Sequence, residues 1–247
     1  MQYKYAINNT STFSKEDLLN IEALFSDSSE SMHKARNEIK IITIDTTPYV
    51  VKAFKVPHII NRFAYTFLRG SKAKRSYENS LILKEFAPQP IAYIEFFKNS
   101  LLHTSYFISE YYAYDFTMKY PLIDPNFEDR ENILSAFADF TFELHQHNIF
   151  HIDYSPGNIL VKKEQERYNF KIVDVNRMRF CSLSIQQRAQ NLSRLTTENK
   201  DLKIIANAYE KHIDSEQKFY PLLLSFVKQQ QAKSERKAFI KRVFKKA

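Results

Sequence analysis

Glycine is almost missing from this chain: only Gly70 and Gly157 occur among 247 residues. The dinucleotide fingerprint G-x-G-x-x-G needs three glycines and is excluded by counting, and the phosphate loop G-x-x-x-x-G-K-[ST] needs two that are five positions apart, which Gly70 and Gly157 are not. The hydrophobic share of 44% is ordinary for a globular protein, and the length suffices for one large domain or two lobes with a real core. One cysteine, Cys181, permits neither an internal disulfide nor a multi-cysteine zinc site, which suits a reducing compartment, and the cytoplasm is expected. Met1 to Ser14 is polar, and apolar stretches such as Phe219 to Val227 fall well short of the roughly 20 residues that span a bilayer. Neither a secretion signal nor a membrane span is expected.

Two β-branched runs, Ile39–Ile44 and Tyr49–Val51, flank Asp45-Thr46-Thr47-Pro48 and read as a hairpin. Ser71 to Phe86 carries Tyr77, Leu81, Ile82 and Phe86 near a 3.6-residue period, with Pro88 and Pro90 beyond it, and reads as a helix. Ile91–Phe97 and Leu101–Ile108 around Lys98-Asn99-Ser100 suit a second hairpin leading into Ser109–Tyr112. From Glu128 the pattern changes. Glu131 to Asn148 is a long amphipathic helix, Ile159–Val161 and Phe170–Val173 form a short hairpin around Lys162–Arg167, and three helical stretches follow: Ser184–Leu195, Lys200–His212 and Glu216 to the C-terminus, the last in one piece or two. Strands first and helices after predict an α+β fold of two lobes, a β-rich lobe over residues 1–110 with one helix and a helical lobe over 111–247.

The run His151-Ile152-Asp153-Tyr154-Ser155-Pro156-Gly157-Asn158 has the H-x-D-x-x-x-x-N spacing of a kinase catalytic loop, and Asp174 follows at the end of the next hairpin. Phosphoryl transfer needs an acceptor hydroxyl held in line, so the Asp153 carboxylate is the candidate to take its proton. It also needs divalent cations on the triphosphate of ATP, and the Asn158 amide and Asp174 carboxylate are the hard oxygen ligands that Mg2+ prefers. The competing reading is that Asp153 and Asn158 only stabilise a turn. Upstream, Lys52 ends the second strand of the first hairpin and is placed to grip nucleotide phosphates with Glu78 of the following helix, with Lys55 and Glu85 as rivals. By order alone Ser109–Tyr112, with Glu110 and Tyr111, is the inter-lobe hinge whose backbone reads adenine. No glycine stands in Ser28–Asn37, where protein kinases cover the phosphates, so Ser28, Ser29 and Ser31 hydroxyls, Arg36 or backbone amides are left for that task.

Lys34-Ala35-Arg36-Asn37, Val50–Lys55, Ala73–Glu78, His151–Leu160 and Asp174 together resemble the lipopolysaccharide core kinases of the Kdo/WaaP family, whose fold is protein-kinase-like. The resemblance implies Lys52 and Glu78 as the phosphate-gripping pair, Asp153 as the catalytic carboxylate, and Asn158 and Asp174 as metal ligands. It also implies a lipid-anchored acceptor, a Kdo-lipid A type of lipopolysaccharide core sugar, at the cytoplasmic face of an inner membrane. Ser155 replaces the lysine usual in serine/threonine kinases and no A-P-E follows Asp174, which favours a sugar hydroxyl over a peptide. The chain departs from the wider kinase pattern in its glycine-free loop and in Asp174-Val175-Asn176 where D-F-G is usual.

The net charge of +8 is concentrated: Lys228 to Ala247 holds eight Lys/Arg against one Glu, or +7. A helix there groups Phe239, Ile240, Val243 and Phe244 on one stripe, suited either to anionic lipid or to docking on the helical lobe, while nucleic acid is disfavoured because aromatics for stacking are few. His145 reads as a helix-face residue and His151 as structural, holding the loop by hydrogen bonds. The rivals to a core-sugar kinase are a kinase of proteins or soluble small molecules, and a pseudokinase that binds a nucleotide or partner without turnover.

Overall fold

The computed structural model describes residues 2–8, 13–34, 37–56, 65–66, 69–196, 198–213 and 218–244. It divides into two compact units, Met1–Ala113 with Ile172–Arg177, and Tyr114–Lys171 with Met178–Ala247.

The first unit is built on a six-stranded antiparallel sheet of β1 (Gln2–Ile7), β2 (Ser31–Lys34), β3 (Asn37–Ile44), β4 (Thr47–Phe54), β5 (Pro90–Lys98) and β6 (Leu101–Glu110), in the order β1-β5-β6-β4-β3-β2. Both expected hairpins are present, and their turns are tighter than the sequence suggested. Only Asp45 and Thr46 separate β3 from β4, at φ 46° and 69°, and Pro48 already lies in β4 opposite Thr43. Asn99 and Ser100 connect β5 to β6 in the same way, at φ 52° and 58°. Two successive positive φ values give the mirror-image turn whose twist matches the strands. This glycine-poor chain builds it from Asp-Thr and Asn-Ser, and a β-branched residue such as Thr46 is strained there.

Alternation along the strands gives the sheet two apolar faces. On one, Ile42, Val51, Ile94 and Ile108 pack with Leu18, Ile21 and Phe25. Those three residues come from α1 (Lys15–Leu19) and α2 (Ile21–Asp27), which the one-helix reading of this region missed. Their start is a capping box, the Asp17 N–H donating to Ser14 Oγ while the Ser14 N–H donates to the Asp17 carboxylate, each at 3.0 Å. On the other face α3 (Lys72–Leu83) sets Ala73 and Tyr77 against Phe54 and Tyr93. Ser71 caps α3 by accepting from the Lys74 N–H at 3.0 Å, and the helix stops where Lys84 turns to φ 49°.

The second unit contains β7 (Phe116–Thr117), α4 (Lys119–Ile123), α5 (Arg130–Gln146), β8 (Ile149–His151), β9 (Ile159–Glu164), β10 (Arg167–Ile172), β11 (Met178–Phe180), α6 (Ile185–Leu192), α7 (Asn199–Glu210) and α8 (Phe219–Phe244). Strands β10, β9 and β7 form one small sheet, and β11 pairs with β8 antiparallel. The long predicted helix is α5, which buries Ile133, Leu134, Phe137, Ala138, Thr141, Leu144 and His145 and ends where Asn148 adopts φ 61°. The C-terminal stretch is one continuous helix. Its first turns bury Phe219, Leu223 and Val227, with the Phe219 ring stacked on Tyr209 at 4.5 Å between centroids. Phe239 and Ile240 near its other end are exposed, at 68% and 43%. Arg36, one of the groups expected to cover the phosphates, lies outside the described residues, as do Lys245 and Lys246 of the tail and Glu216, the expected start of the last helix.

Candidate active site

In the second unit β8 delivers the loop that carries Asp153 and Asn158. The Asp153 carbonyl accepts from the Ser155 N–H at 2.8 Å and from Asn158 Nδ2 at 3.0 Å, and the Asn158 N–H donates to the Ser155 carbonyl at 2.9 Å. Pro156, Gly157 and Asn158 make a single 3-10 turn that leads into β9. Asn158 therefore spends its amide nitrogen on the loop, while its Oδ1 is an oxygen of the type hard cations prefer. The Asp153 side chain is about one-third exposed, and Arg194 approaches it: Nη1 donates to the Ile152 carbonyl at 2.5 Å and lies 3.9 Å from Asp153 Oδ1. Arg194 went unrecognised in the sequence because it is 42 positions from Ile152 and beyond the motif.

A buried chain of hydrogen bonds holds this loop from behind. The Tyr209 hydroxyl donates to His145 Nδ1 at 2.8 Å, and His145 Nε2–H donates to Asn191 Oδ1 at 3.1 Å. Asn191 Nδ2 donates to the His151 carbonyl at 2.8 Å, and His151 Nδ1 accepts the Asp153 N–H at 3.0 Å. The tautomers follow from that network. His145, His151, Asn191 and Tyr209 are all fully buried. Burial pushes the His145 imidazole down to about 4, so it is neutral, and pushes the Tyr209 hydroxyl up to about 12, so it stays a donor. His145 thus lies on the buried face of α5, a helix-face residue as expected, and His151 makes the kind of loop hydrogen bond expected of it. Beside this chain the Tyr154 ring stacks on Phe137, and its hydroxyl donates to Thr141 Oγ at 2.8 Å, which in turn donates to the Phe137 carbonyl at 2.9 Å.

The first unit holds the other predicted residues. Lys52 Nζ forms an ion pair with Asp174 Oδ1, both partly buried, and Asn176 Nδ2 donates to the same carboxylate oxygen at 2.8 Å. Asp174 sits at φ 59°, a left-handed conformation that aspartate tolerates better than most side chains. Glu78 is not the partner of Lys52: its Oε1 lies 3.7 Å from Lys74 Nζ on the exposed side of α3. The neighbouring Asn79 ties α3 to this segment, Nδ2 donating to the Val175 carbonyl at 2.6 Å. Of the serines offered as phosphate cover, Ser28 uses its hydroxyl on the Ile41 carbonyl at 2.7 Å. Glu110 closes β6 opposite Tyr49, its N–H donating to the Gln89 carbonyl at 2.9 Å, which removes one donor from the expected adenine edge; Tyr111 follows, exposed.

These donors suit a magnesium-bound nucleotide in kind. In the first unit a carboxylate beside a lysine pairs an oxygen of the kind magnesium takes with a cation of the kind phosphates take, and in the second unit the Asn158 amide supplies another such oxygen. Among the described residues no three His, Cys, Asp or Glu side chains cluster as a metal site.

A β-rich unit with a lysine at the middle of its sheet and a helical unit with an H-x-D-x-x-x-x-N loop define an α+β, protein-kinase-like fold. A solved structure titled WaaP in complex with acyl carrier protein has this fold, with a TM-score of 0.57 at 14% identity over 95% of this chain and 98% of that one. The kinase domain of maize SIRK1 (sucrose-induced receptor kinase 1) bound to AMP-PNP aligns with 83% of this chain and 62% of its own, at 15% identity and a TM-score of 0.45. Residues 110–218 match the lipopolysaccharide kinase (Kdo/WaaP) family, the family that the sequence resembles. No curated protein sequence gives a match.

Proposed function

We propose that this protein is an ATP-dependent kinase that phosphorylates a hydroxyl of Kdo or of another inner-core sugar of lipopolysaccharide. The observation that carries the reading is the Asp153 loop. Its main chain is fixed by His151, Ser155 and Asn158, and its carboxylate is left partly exposed toward solvent. In the proposed reaction the acceptor hydroxyl attacks the γ-phosphorus, the bond to the β-phosphate oxygen breaks, ADP leaves and Asp153 takes the hydroxyl proton. Lys52 would place its ammonium on the phosphates, and Asn158 Oδ1 and the Asp174 carboxylate would serve as ligands for magnesium, which when bound would supply charge neutralisation to the triphosphate. Since Lys52 and Asp174 are paired with each other, nucleotide binding has to share or exchange that ion pair. Arg194 adds a guanidinium beside Asp153, where a cation serves the charge of the transferring group. Glu110 and Tyr111 border the adenine site, and Glu78 acts on Lys52 only if α3 or its side chain rearranges.

The tail supports an acceptor on a lipid anchor. Phe239 and Ile240 are exposed on a helix rich in lysine and arginine, and each basic residue near an anionic surface adds about 1 kcal/mol of attraction. Among the described residues no helix is long and apolar enough to cross a membrane; the contact proposed is a peripheral one at the cytoplasmic face of the inner membrane, the location that the family resemblance implies. The reading is tested by offering ATP and magnesium with Kdo-lipid A, heptose-bearing core, a serine peptide and a soluble aminoglycoside. Phosphate should enter a lipopolysaccharide acceptor and not the peptide or the aminoglycoside. Transfer to either of these instead, or magnesium-dependent ATP binding with no transfer to any acceptor, contradicts it.

A further inference from the structure

The first unit has a cavity of about 230 Å³ whose walls include no residue of the candidate active site. Its floor is the sheet. Tyr93, Glu95 and Phe97 alternate onto one face of β5, and Lys4 of β1 lies directly opposite Glu95 in the register. Tyr65, Arg69 and Gly70 form one side together with Lys74 from the first turn of α3.

Its cations are held on aromatic faces. Lys4 Nζ stands 5.3 Å from the Phe97 ring centroid, and the Arg69 guanidinium 4.7 Å from that of Tyr65. Among the described residues neither has a carboxylate within ion-pair distance, and Lys74 has only the exposed Glu78 at 3.7 Å. Arg75 also approaches Tyr65, at 5.9 Å, and burial with Arg69 and Arg177 nearby lowers its affinity for its proton. The one acid in the wall, Glu95, is 5% exposed and accepts the Ser71 N–H at 3.2 Å. Gly70 has no backbone need for glycine, yet a Cβ there would stand 3.0 Å from Lys74 Cδ. One of the two glycines in the chain therefore makes room for the stem of a cavity lysine.

Three kinds of group thus face one small space: cations, aromatic faces and a buried carboxylate. Inorganic phosphate would satisfy the cations and be repelled by Glu95, and a neutral sugar would leave the cations unanswered. A phosphate joined to a single sugar ring suits all three, with the phosphate on Lys4, Arg69 and Lys74, the ring against the aromatics and a hydroxyl donating to Glu95. The volume lies below the roughly 300 Å³ at which pockets for drug-sized ligands begin, which favours one ring over a nucleotide or an oligosaccharide. We propose that this cavity is a sugar-phosphate site, separate from the nucleotide and acceptor sites of the kinase reading and independent of whether that reading holds.

The test is calorimetric titration of the full chain with glucose 1-phosphate, glucose and inorganic phosphate. Glucose 1-phosphate should bind at least about tenfold more tightly than either fragment. Lys4→Ala and Arg69→Ala should each weaken it several-fold and Arg69→Lys less, whereas Lys52→Ala should leave it unchanged. Amide shifts in the unmodified chain should centre on Tyr93–Phe97, a readout that needs no variant to fold. Failure of glucose 1-phosphate to bind, equal binding of inorganic phosphate, indifference to the Lys4 and Arg69 changes, or loss of binding in Lys52→Ala would each overturn the proposal.

Discussion

His145 offers a quantitative test of the buried chain behind the candidate loop, because folding lowers its proton affinity from an ordinary 6.5 to about 4. The unfolded chain takes up a proton at this residue as pH falls below 6.5, whereas the folded chain holds the ring neutral until about pH 4. Its contribution to stability is therefore complete above pH 6.5 and is lost progressively as pH falls toward 4. At 1.36 kcal/mol per pH unit of full proton difference, the loss between pH 7 and pH 5 is about 2 kcal/mol, rising to about 3 by pH 4. Other groups titrate in the same range, so the comparison is with His145→Gln, which can still donate to Asn191 while it cannot titrate. Urea unfolding followed by circular dichroism at pH 7 and pH 5 should show the unmodified chain losing about 2 kcal/mol more than the variant. Equal losses in the two proteins would refute both the neutral tautomer and the Tyr209–His145–Asn191 bonding built on it.

Asn191→Leu removes the acceptor for His145 Nε2–H and the donor to the His151 carbonyl, and leaving buried polar groups unpaired should cost about 2–4 kcal/mol, read by urea unfolding. Arg194→Ala should lower kcat for phosphoryl transfer by about tenfold to a hundredfold while ATP affinity, measured by titration, stays within about twofold, and Arg194→Lys should recover part of the loss. Thr46→Gly relieves a β-branched residue held at φ 69° and should stabilise the protein by about 1 kcal/mol, seen as a Tm higher by about 3 °C.

What the sequence disclosed and what it concealed follow from how far apart the partners lie along the chain. The two hairpins, α3 and α5 were legible because a strand or helix repeats its apolar pattern locally, and the candidate loop was legible because its residues fall within eight consecutive positions. Strand β1 and the short helices α1 and α2 were missed. Six, five and seven residues give too little periodicity, and β1 is fixed by a partner strand some ninety positions away. The tie between His145 and Tyr209 spans 64 positions, and only packing of α7 on α5 brings it about. Lys52 was read as the lysine ending the second strand of the first hairpin, with Glu78 as its partner, whereas in the structure it pairs with Asp174. A helix facing a strand suggests such pairs without fixing the rotation of the helix. Here α3 turns Ala73 and Tyr77 to the sheet, which sends Glu78 outward and brings Asn79 to the Val175 carbonyl. Two-residue turns without glycine hid the true hairpin lengths, since Asp-Thr and Asn-Ser are weak signals for positive φ.

The central claim is that Asp153 takes the proton of a lipopolysaccharide-sugar hydroxyl during phosphoryl transfer from ATP. Its most direct measurement is the transfer of labelled phosphate from ATP to purified Kdo-lipid A with magnesium, comparing the intact chain with Asp153→Ala and confirming by circular dichroism that the variant is folded. The account predicts label in the lipid fraction for the intact chain and a fall of about a hundredfold or more for the variant, with ATP binding retained. Undiminished transfer by a folded Asp153→Ala, or no label on any lipopolysaccharide acceptor from an intact chain that binds ATP, would contradict it.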